Sequence, residues 1–286
     1  MRYSLEMSSQ ILVYKITRSG IEKLNTDLPN FDSITAELPT GFYSTFRTYA
    51  ERTKVLGLSS HLDRLYIPAK AQEIVPAMRR PEDLREALSR VLNRFPAPEA
   101  RVRLILDTSV ERGTMYILLQ PLQLLPAEIY EYGVRLEISK TSREKPALKQ
   151  TAFIHESAFD RKRLGGEIFE ILLTNKGRIL EGMTSNFFYI RDGMLCTAGR
   201  GILIGVTRQT VLAFAKWEGI KTCIKALTVN EIPTIDEAFI TSSSRGIVPV
   251  VQIDARQVAD GKVGRITKRL MSLYEENIFS IAEEIF

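Results

Sequence analysis

The sequence predicts an α+β fold in two domains, and three observations carry that prediction. Candidate strands and helices are mixed irregularly, with hairpin signals more evident than strand–helix–strand units, which argues against a doubly wound sheet. Pro121 and Pro126 bracket Leu-Gln-Leu-Leu, a break in pattern that suits a domain boundary. With 286 residues the chain can bury one large or two modest cores. The expected organisation is an N-terminal small domain over 1–120, a linker over 121–132 and a C-terminal domain over 133–286.

Taken in order, residues 10–17 have the apolar, β-branched character of a first strand, followed by a polar segment to about Leu38. Residues 41–49 alternate as a strand, and Glu51-Arg-Thr turns into a short run from Lys54. A helix follows from His61, with apolar positions at Leu62, Leu65 and Ala69. A second helix spans about 81–94, with Pro81 at its first position. Residues 101–106 and 114–119 are expected as hairpin partners. Beyond the boundary come a strand over 134–140, a basic loop, a helix over 153–164 and a strand over 168–173. Residues 187–190 and 194–197 flank Arg191-Asp192-Gly193, a hairpin turn signal. Thr207 is placed to cap a helix that Gly219 ends. Strands over 221–226 and 237–241, a Ser-rich break at 241–246, a further apolar run from Ile247 and a helix over 267–285 complete the chain.

The bulk properties exclude several classes. Hydrophobic residues make up 44% and charged residues 26%, as in ordinary globular proteins. No apolar run reaches membrane-spanning length, and residues 1–7 lack a signal-peptide core. The net charge is +5, but basic residues are interspersed with acids, which does not suit nucleic-acid binding. The densest basic stretch, 140–149, reads as a solvated face. Two cysteines, Cys196 and Cys223, are too few for a disulfide framework and suit a reducing cytoplasm. With two histidines and no ligand spacing, no metal is expected.

The informative stretch runs from Arg178 to Thr207. Read for its residues, it places an isolated acid, Glu181, before a hairpin and then a helix start at Gly205-Val206-Thr207. A helix start of this kind can bind an anion. The order Glu-Gly-x-x-Ser-Asn-hydrophobic-Phe, hairpin, Leu-x-Gly-Val-Thr-Arg resembles the class IV aminotransferases, the fold-type-IV pyridoxal phosphate enzymes. That family includes branched-chain aminotransferases, D-amino acid aminotransferases and aminodeoxychorismate lyase. The resemblance covers roughly residues 40–265 and implies a C-terminal cofactor domain with a barrel-like sheet.

It also assigns residues. Lys149, in Pro-Ala-Leu-Lys, matches the family's Schiff-base lysine, a role that needs a lysine able to lose its proton. Arg143, Lys145 and Lys140 would help only by folding inward. Glu181 matches the acid that pairs with the pyridine nitrogen. Arg64 matches an arginine that reaches the cofactor phosphate, which its planar fork suits. Val206 and Thr207 would bind the phosphate at the helix N-terminus, with Ser243 and Ser244 completing the cradle. Leu203 would pack on the ring, and Thr184 and Ser185 would pass beside it. Tyr43 and Arg103 fall on the substrate side; Arg103 is equally readable as an outward-facing strand residue.

Three departures bear on substrate. Ile154 stands where branched-chain members have a tyrosine, Ser185 where they usually have an acid, and Tyr43-Ser44 within the family's Gly-x-Phe-Glu pattern. The resemblance implies a cytoplasmic homodimer that transfers an amino group between an amino acid and a 2-oxo acid by a ping-pong cycle. The alternatives are an aminodeoxychorismate lyase releasing pyruvate, and a binding module of the same fold without catalysis.

Overall fold

The computed structural model describes residues 11–141, 143 and 146–286. Contacts divide the chain into two compact units, one running to Gln123 and including Ala282–Phe286, the other Leu124–Ile281.

The first unit contains β1 (Leu12–Thr17), β2 (Gly20–Leu24), α1 (Phe31–Glu37), β3 (Gly41–Arg47), β4 (Lys54–Val55), α2 (Leu58–Ala71), α3 (Pro81–Leu92), β5 (Ala100–Asp107) and β6 (Met115–Pro121). An antiparallel sheet in the order β2-β1-β6-β5-β3 forms its centre. β5 and β6 are neighbours in register, Leu104 opposite Ile117, as their shared alternation implies. α2 packs across β3, burying Leu62, Leu65 and Ala69, the apolar positions that define its helical face. The segment before Leu38 is not simply polar. It holds β2, an edge strand whose side chains are almost all exposed, and the short α1, whose cap Asn30 accepts from the Ser33 N–H at 2.9 Å. Neither leaves a long hydrophobic pattern to read.

The second unit contains α4 (Ala127–Tyr132), β7 (Val134–Ser139), α5 (Ala152–Glu156), α6 (Ala158–Arg161), β8 (Ile168–Asn175), β9 (Arg178–Gly182), β10 (Asn186–Arg191), β11 (Met194–Thr197), α7 (Val206–Trp217), β12 (Thr222–Ile224), β13 (Glu237–Ser242), β14 (Gly246–Ile253), β15 (Arg256–Gln257) and α8 (Arg265–Ile281). A 3-10 turn covers Val229–Thr234. Strand β16 (Glu283–Glu284) follows and pairs with β4 of the first unit, to which it belongs.

Six strands close into a ring: β9, β10, β13, β14, β7, β8 and back to β9. Most pairs are antiparallel, while β14–β7 and β7–β8 are parallel. β10 devotes one edge to β13 and divides the other between β11 and β9. The ring closes where Asn186 meets Glu181. A hairpin joins β10 to β11 through Asp192 and Gly193, both at positive φ (52° and 70°), the conformation a type I′ turn requires. One face of the ring buries Leu136, Leu172, Phe187, Tyr189, Ile240 and Val250 in a common core. Phe188 and Phe239 stack at 4.9 Å, and α7 and α8 pack against β13.

Two helix expectations need correction. The single helix over 153–164 is two short ones, broken at Ser157, whose hydroxyl donates to the Phe153 carbonyl at 2.5 Å. Gly165 and Gly166, both at positive φ, lie beyond the end of α6. The last helix stops at Ile281, not Ile285, because the chain turns to pair with β4. Among the described residues, no helix is long and apolar enough to cross a membrane, and no cluster of three metal-ligating side chains is present.

Candidate active site

Glu181 lies at the closure of the ring, in register with Leu173 on β8 and Asn186 on β10. It is 2% exposed, so it is neither a turn acid nor solvated. Arg143 reaches it from the loop before Lys149, Nε donating to a carboxylate oxygen at 2.9 Å. The same guanidinium donates to the Met183 carbonyl at 2.8 Å and lies 3.9 Å from the Phe153 ring centroid. The other carboxylate oxygen accepts from the Leu203 N–H at 3.0 Å and from Asn186 Nδ2 at 3.4 Å.

Burial pushes the Glu181 carboxyl up to about 7, against the pull of Arg143, the Leu203 N–H and Lys149. The proton on this carboxyl is therefore poised near neutrality. That Lys149 acts on Glu181 brings the two assigned residues into one electrostatic neighbourhood; Lys149 itself is half-buried. Arg143 folds inward as the lysine's setting would require. Lys140 is exposed, and Lys145 lies outside the described residues.

Asn186 ties this acid to the helix start. Its Nδ2 also donates to the Leu203 carbonyl at 2.7 Å, so Leu203 is held at both its N–H and its C=O. Two residues on, a Cβ on Gly205 would stand 2.1 Å from Asn186 Oδ1, which leaves room only for glycine. Gly205 is the residue before the helix and α7 begins at Val206. Thr207 is thus not the cap but the second helical residue. It is 1% exposed, and its Oγ1 has no hydrogen-bond partner among the described residues.

Thr241, in register with Asn186 on the neighbouring strand, has the same unmet hydroxyl. An unmet buried polar group costs about 1–3 kcal/mol, which a ligand that supplied a partner at either hydroxyl would offset. The first-turn N–H groups of α7 and its dipole favour an anion at the same place. Ser243 and Ser244 stand half-buried in the turn between β13 and β14.

A second charged cluster lies beside the first. Glu170 on β8 is fully buried and accepts from Arg245 Nη2 at 3.1 Å, from Ser185 Oγ at 3.4 Å and from the Thr184 hydroxyl at 2.5 Å. Arg245 also donates to Thr184 Oγ1 at 2.6 Å and to Ser242 Oγ at 3.0 Å. Thr184 and Ser185, expected beside the ring, are therefore joined through Glu170 and Arg245 to the serine turn.

Arg64, Tyr43 and Arg103 belong to the first unit. Arg64 sits half-buried on α2 and Tyr43 is buried on β3. Arg103 does not face outward: it is 4% exposed, paired with Asp32 at 2.8 Å, and donates to Thr35, Thr45 and the Phe31 carbonyl. Sequence reasoning singled out no role for Asn186, Gly205, Glu170 or Arg245. The first two sit inside the quoted motif, whereas the Glu170–Arg245 pair has no local signal.

A model of the family described as amino-transferase class IV matches residues 41–253. A provisionally named branched-chain-amino-acid aminotransferase of Methanocaldococcus jannaschii is 30% identical over 78% of this chain and 82% of the relative. The chain belongs to the class IV aminotransferases. A D-alanine aminotransferase of Listeria monocytogenes is 29% identical to this aminotransferase, covering 86% of the chain and 89% of the relative.

Among solved structures, a T.th. branched-chain amino acid aminotransferase with pyridoxamine 5′-phosphate has a TM-score of 0.81 at 21% identity, over 96% of this chain and 98% of that one. The Escherichia coli branched-chain enzyme has a TM-score of 0.77 at 23% identity, over 94% and 96%. These likenesses show the fold-type-IV architecture, including the closed barrel-like sheet expected from the resemblance. Pyridoxal phosphate is the family's cofactor, and the donor set fits it: a lysine beside a buried acid, with an unmet hydroxyl at a helix N-terminus.

Thr207→Val offers a local check. In the cofactor-free protein the substitution removes an unmet buried hydroxyl, so thermal stability is expected to hold or rise. Affinity for pyridoxal phosphate is expected to fall by about tenfold to a hundredfold, the loss of one charge-assisted hydrogen bond of about 1.5–3 kcal/mol. Equilibrium titration and thermal denaturation read the two effects separately. Unchanged affinity would place the phosphate elsewhere.

Proposed function

We propose that this aminotransferase carries the exchange between an amino acid and a 2-oxo acid through Lys149 and Glu181. The observation that carries the reading is Glu181, buried at the ring closure, acted on by Lys149 and hydrogen-bonded to the loop that opens α7. Pyridoxal phosphate, when bound, supplies an aldehyde carbon for amine exchange and a ring that draws electrons from the substrate Cα.

Lys149 Nζ would hold the cofactor and, when free of it, would be the amine placed to take the proton from the substrate Cα. Glu181 would hold a proton at the ring nitrogen, with Arg143 and the Leu203 N–H fixing the carboxylate's direction. Val206, Thr207, Ser243 and Ser244 would bind the phosphate, and Leu203 would pack beside the ring. In the first unit, the fork of Arg103 is taken up by Asp32 and its neighbours.

For the substrate carboxylate, Arg245 is the better cation. Glu170, Thr184 and Ser242 fix two of its nitrogens, and Nη1 has no partner within the protein among the described residues. Arg245→Gln is expected to raise the KM for the amino acid about tenfold, the loss of one charged hydrogen bond. Cofactor affinity should be unchanged. An unaltered KM would remove Arg245 from substrate binding.

Branched-chain amino acids with 2-oxoglutarate form the first substrate pair to test, because the relatives named above include branched-chain enzymes. D-alanine is the second, since the D-alanine aminotransferase covers more of the chain. Amino transfer from L-leucine, L-valine and D-alanine, followed by 2-oxo acid formation, separates them. Aminodeoxychorismate serves as the control; pyruvate release from it without amino transfer would overturn the aminotransferase assignment. We further propose a homodimer located in the cytoplasm, of which light scattering on the purified protein tests the dimer.

A further inference from the structure

The two cysteines are far apart in sequence and adjacent in the sheet. Cys196 on β11 and Cys223 on β12 are direct register partners of a parallel pair, so their side chains leave the sheet on the same face. Tyr189 on β10 is the register partner of Cys196 on the other side, and the three stand in one row across three strands. Register partners on adjacent strands have Cα atoms about 4.8 Å apart, inside the roughly 4.4–6.8 Å span that disulfides bridge.

The thiols differ in access. Cys196 is 4% exposed within the core of the ring and donates to the Met194 carbonyl at 3.7 Å. Cys223 is half-buried between the exposed Thr222 and Ile224, on the three-residue strand that ends the sheet. Burial, followed by the contact with the Cys223 thiol, pushes the Cys196 thiol up to about 11. Cys196 is therefore a weak nucleophile towards solvent, and an oxidant meets Cys223 first.

We propose that Cys196 and Cys223 are a redox modification site that forms a reversible intramolecular disulfide with hydrogen peroxide as oxidant. The Cys223 thiolate attacks a peroxide oxygen, the O–O bond breaks, and the leaving hydroxide takes a proton to become water. The Cys196 sulfur then attacks the Cys223 sulfenic acid, forming the S–S bond and expelling the second oxygen as water with the Cys196 proton. The pair loses two electrons and the peroxide gains them; a small dithiol reverses the step by exchange. The segment so closed runs from β11 through Leu203, Gly205 and Thr207 to the end of α7 and into β12. The bond would thus fasten both ends of the segment that carries the phosphate-binding helix start. It is independent of which substrate the enzyme takes.

The test exposes the full-length cofactor-loaded protein to millimolar hydrogen peroxide, then denatures and alkylates it without reductant for intact-mass and peptide mapping. The expected result is a monomer lighter by two hydrogens, with neither cysteine alkylated and the 196- and 223-containing peptides linked, restored to two alkylated thiols by dithiothreitol. Cys223→Ser, at the sheet edge, should then leave Cys196 fully alkylatable after the same treatment. The proposal is overturned if Cys196 of the natural protein remains alkylatable while Cys223 carries sulfinic acid or joins a second chain. It is also overturned if both thiols survive untouched.

Discussion

Lys149→Ala protein is expected to fold and to retain pyridoxal phosphate loosely, but to lose its covalent attachment and essentially all amino transfer. In the proposed mechanism Lys149 supplies both the amine that holds the cofactor and the group that moves the substrate proton. Its removal therefore deletes two functions at once. General acid–base catalysis alone accounts for about 10²–10⁴ in rate, so turnover should fall by about four orders of magnitude or more. The structure gives a reason to expect folding: Lys149 is half-buried after a loop, outside any helix or strand, and removing it empties no core. Borohydride treatment followed by mass mapping reads the result directly. Label fixed on Lys149 in the natural protein, and none in the variant, supports the assignment; a cofactor still fixed to the variant would move the role to another lysine.

Glu181→Gln is expected to lower turnover by about a hundredfold, roughly 2.7 kcal/mol of barrier, while leaving phosphate-based cofactor binding largely intact. Glutamine keeps the shape of the side chain but carries no charge to hold a proton on the ring nitrogen. Rapid mixing with a single equivalent of amino acid isolates the chemical step. A near-normal rate there would remove Glu181 from the mechanism.

The same residue should be visible without any cofactor. A carboxyl at about 7 in the folded protein, against an ordinary value near 4.5, binds its proton more tightly folded than unfolded. Its contribution is therefore fully present below about pH 4.5 and is lost as pH rises to about 7. The loss should be about 3 kcal/mol at most. Denaturant unfolding of the cofactor-free protein across this window should show the decline, and the glutamine variant should lack that part of it. The variant also leaves Arg143 without its carboxylate partner, so its stability should be lower near neutral pH.

Much of this fold is legible in local residue choices, for identifiable reasons. Asp192-Gly193 forces a hairpin because few other pairs tolerate two positive φ values in a row, and the structure has that turn. Pro81 begins α3 because its missing N–H is unneeded there. The contiguous motif from Glu181 to Thr207 is readable because a turn, a tight loop and a helix start each impose local residue choices. The Gly205 requirement, in contrast, needs the Asn186 side chain beneath it. Thr207 becomes an inward hydroxyl rather than a cap only once the start of α7 is placed.

Residue order alone points to the family and to most of the strands and helices of the second unit, since these rest on local patterns of residue type. Where charges find partners is settled only by the folded arrangement. Arg143 lies in a basic stretch that reads as solvated, yet it is the buried partner of Glu181. Glu170 on β8 and Arg245 in the turn after β13 are distant in sequence and meet only in the closed sheet. Arg103, readable as outward-facing, is buried against Asp32. Cys196 and Cys223 become neighbours through a parallel pairing that neither segment announces. In each case the physical reason is the same: strand order and register are properties of the closed sheet, and a charge or thiol carries no periodic signal that says which strand it will face.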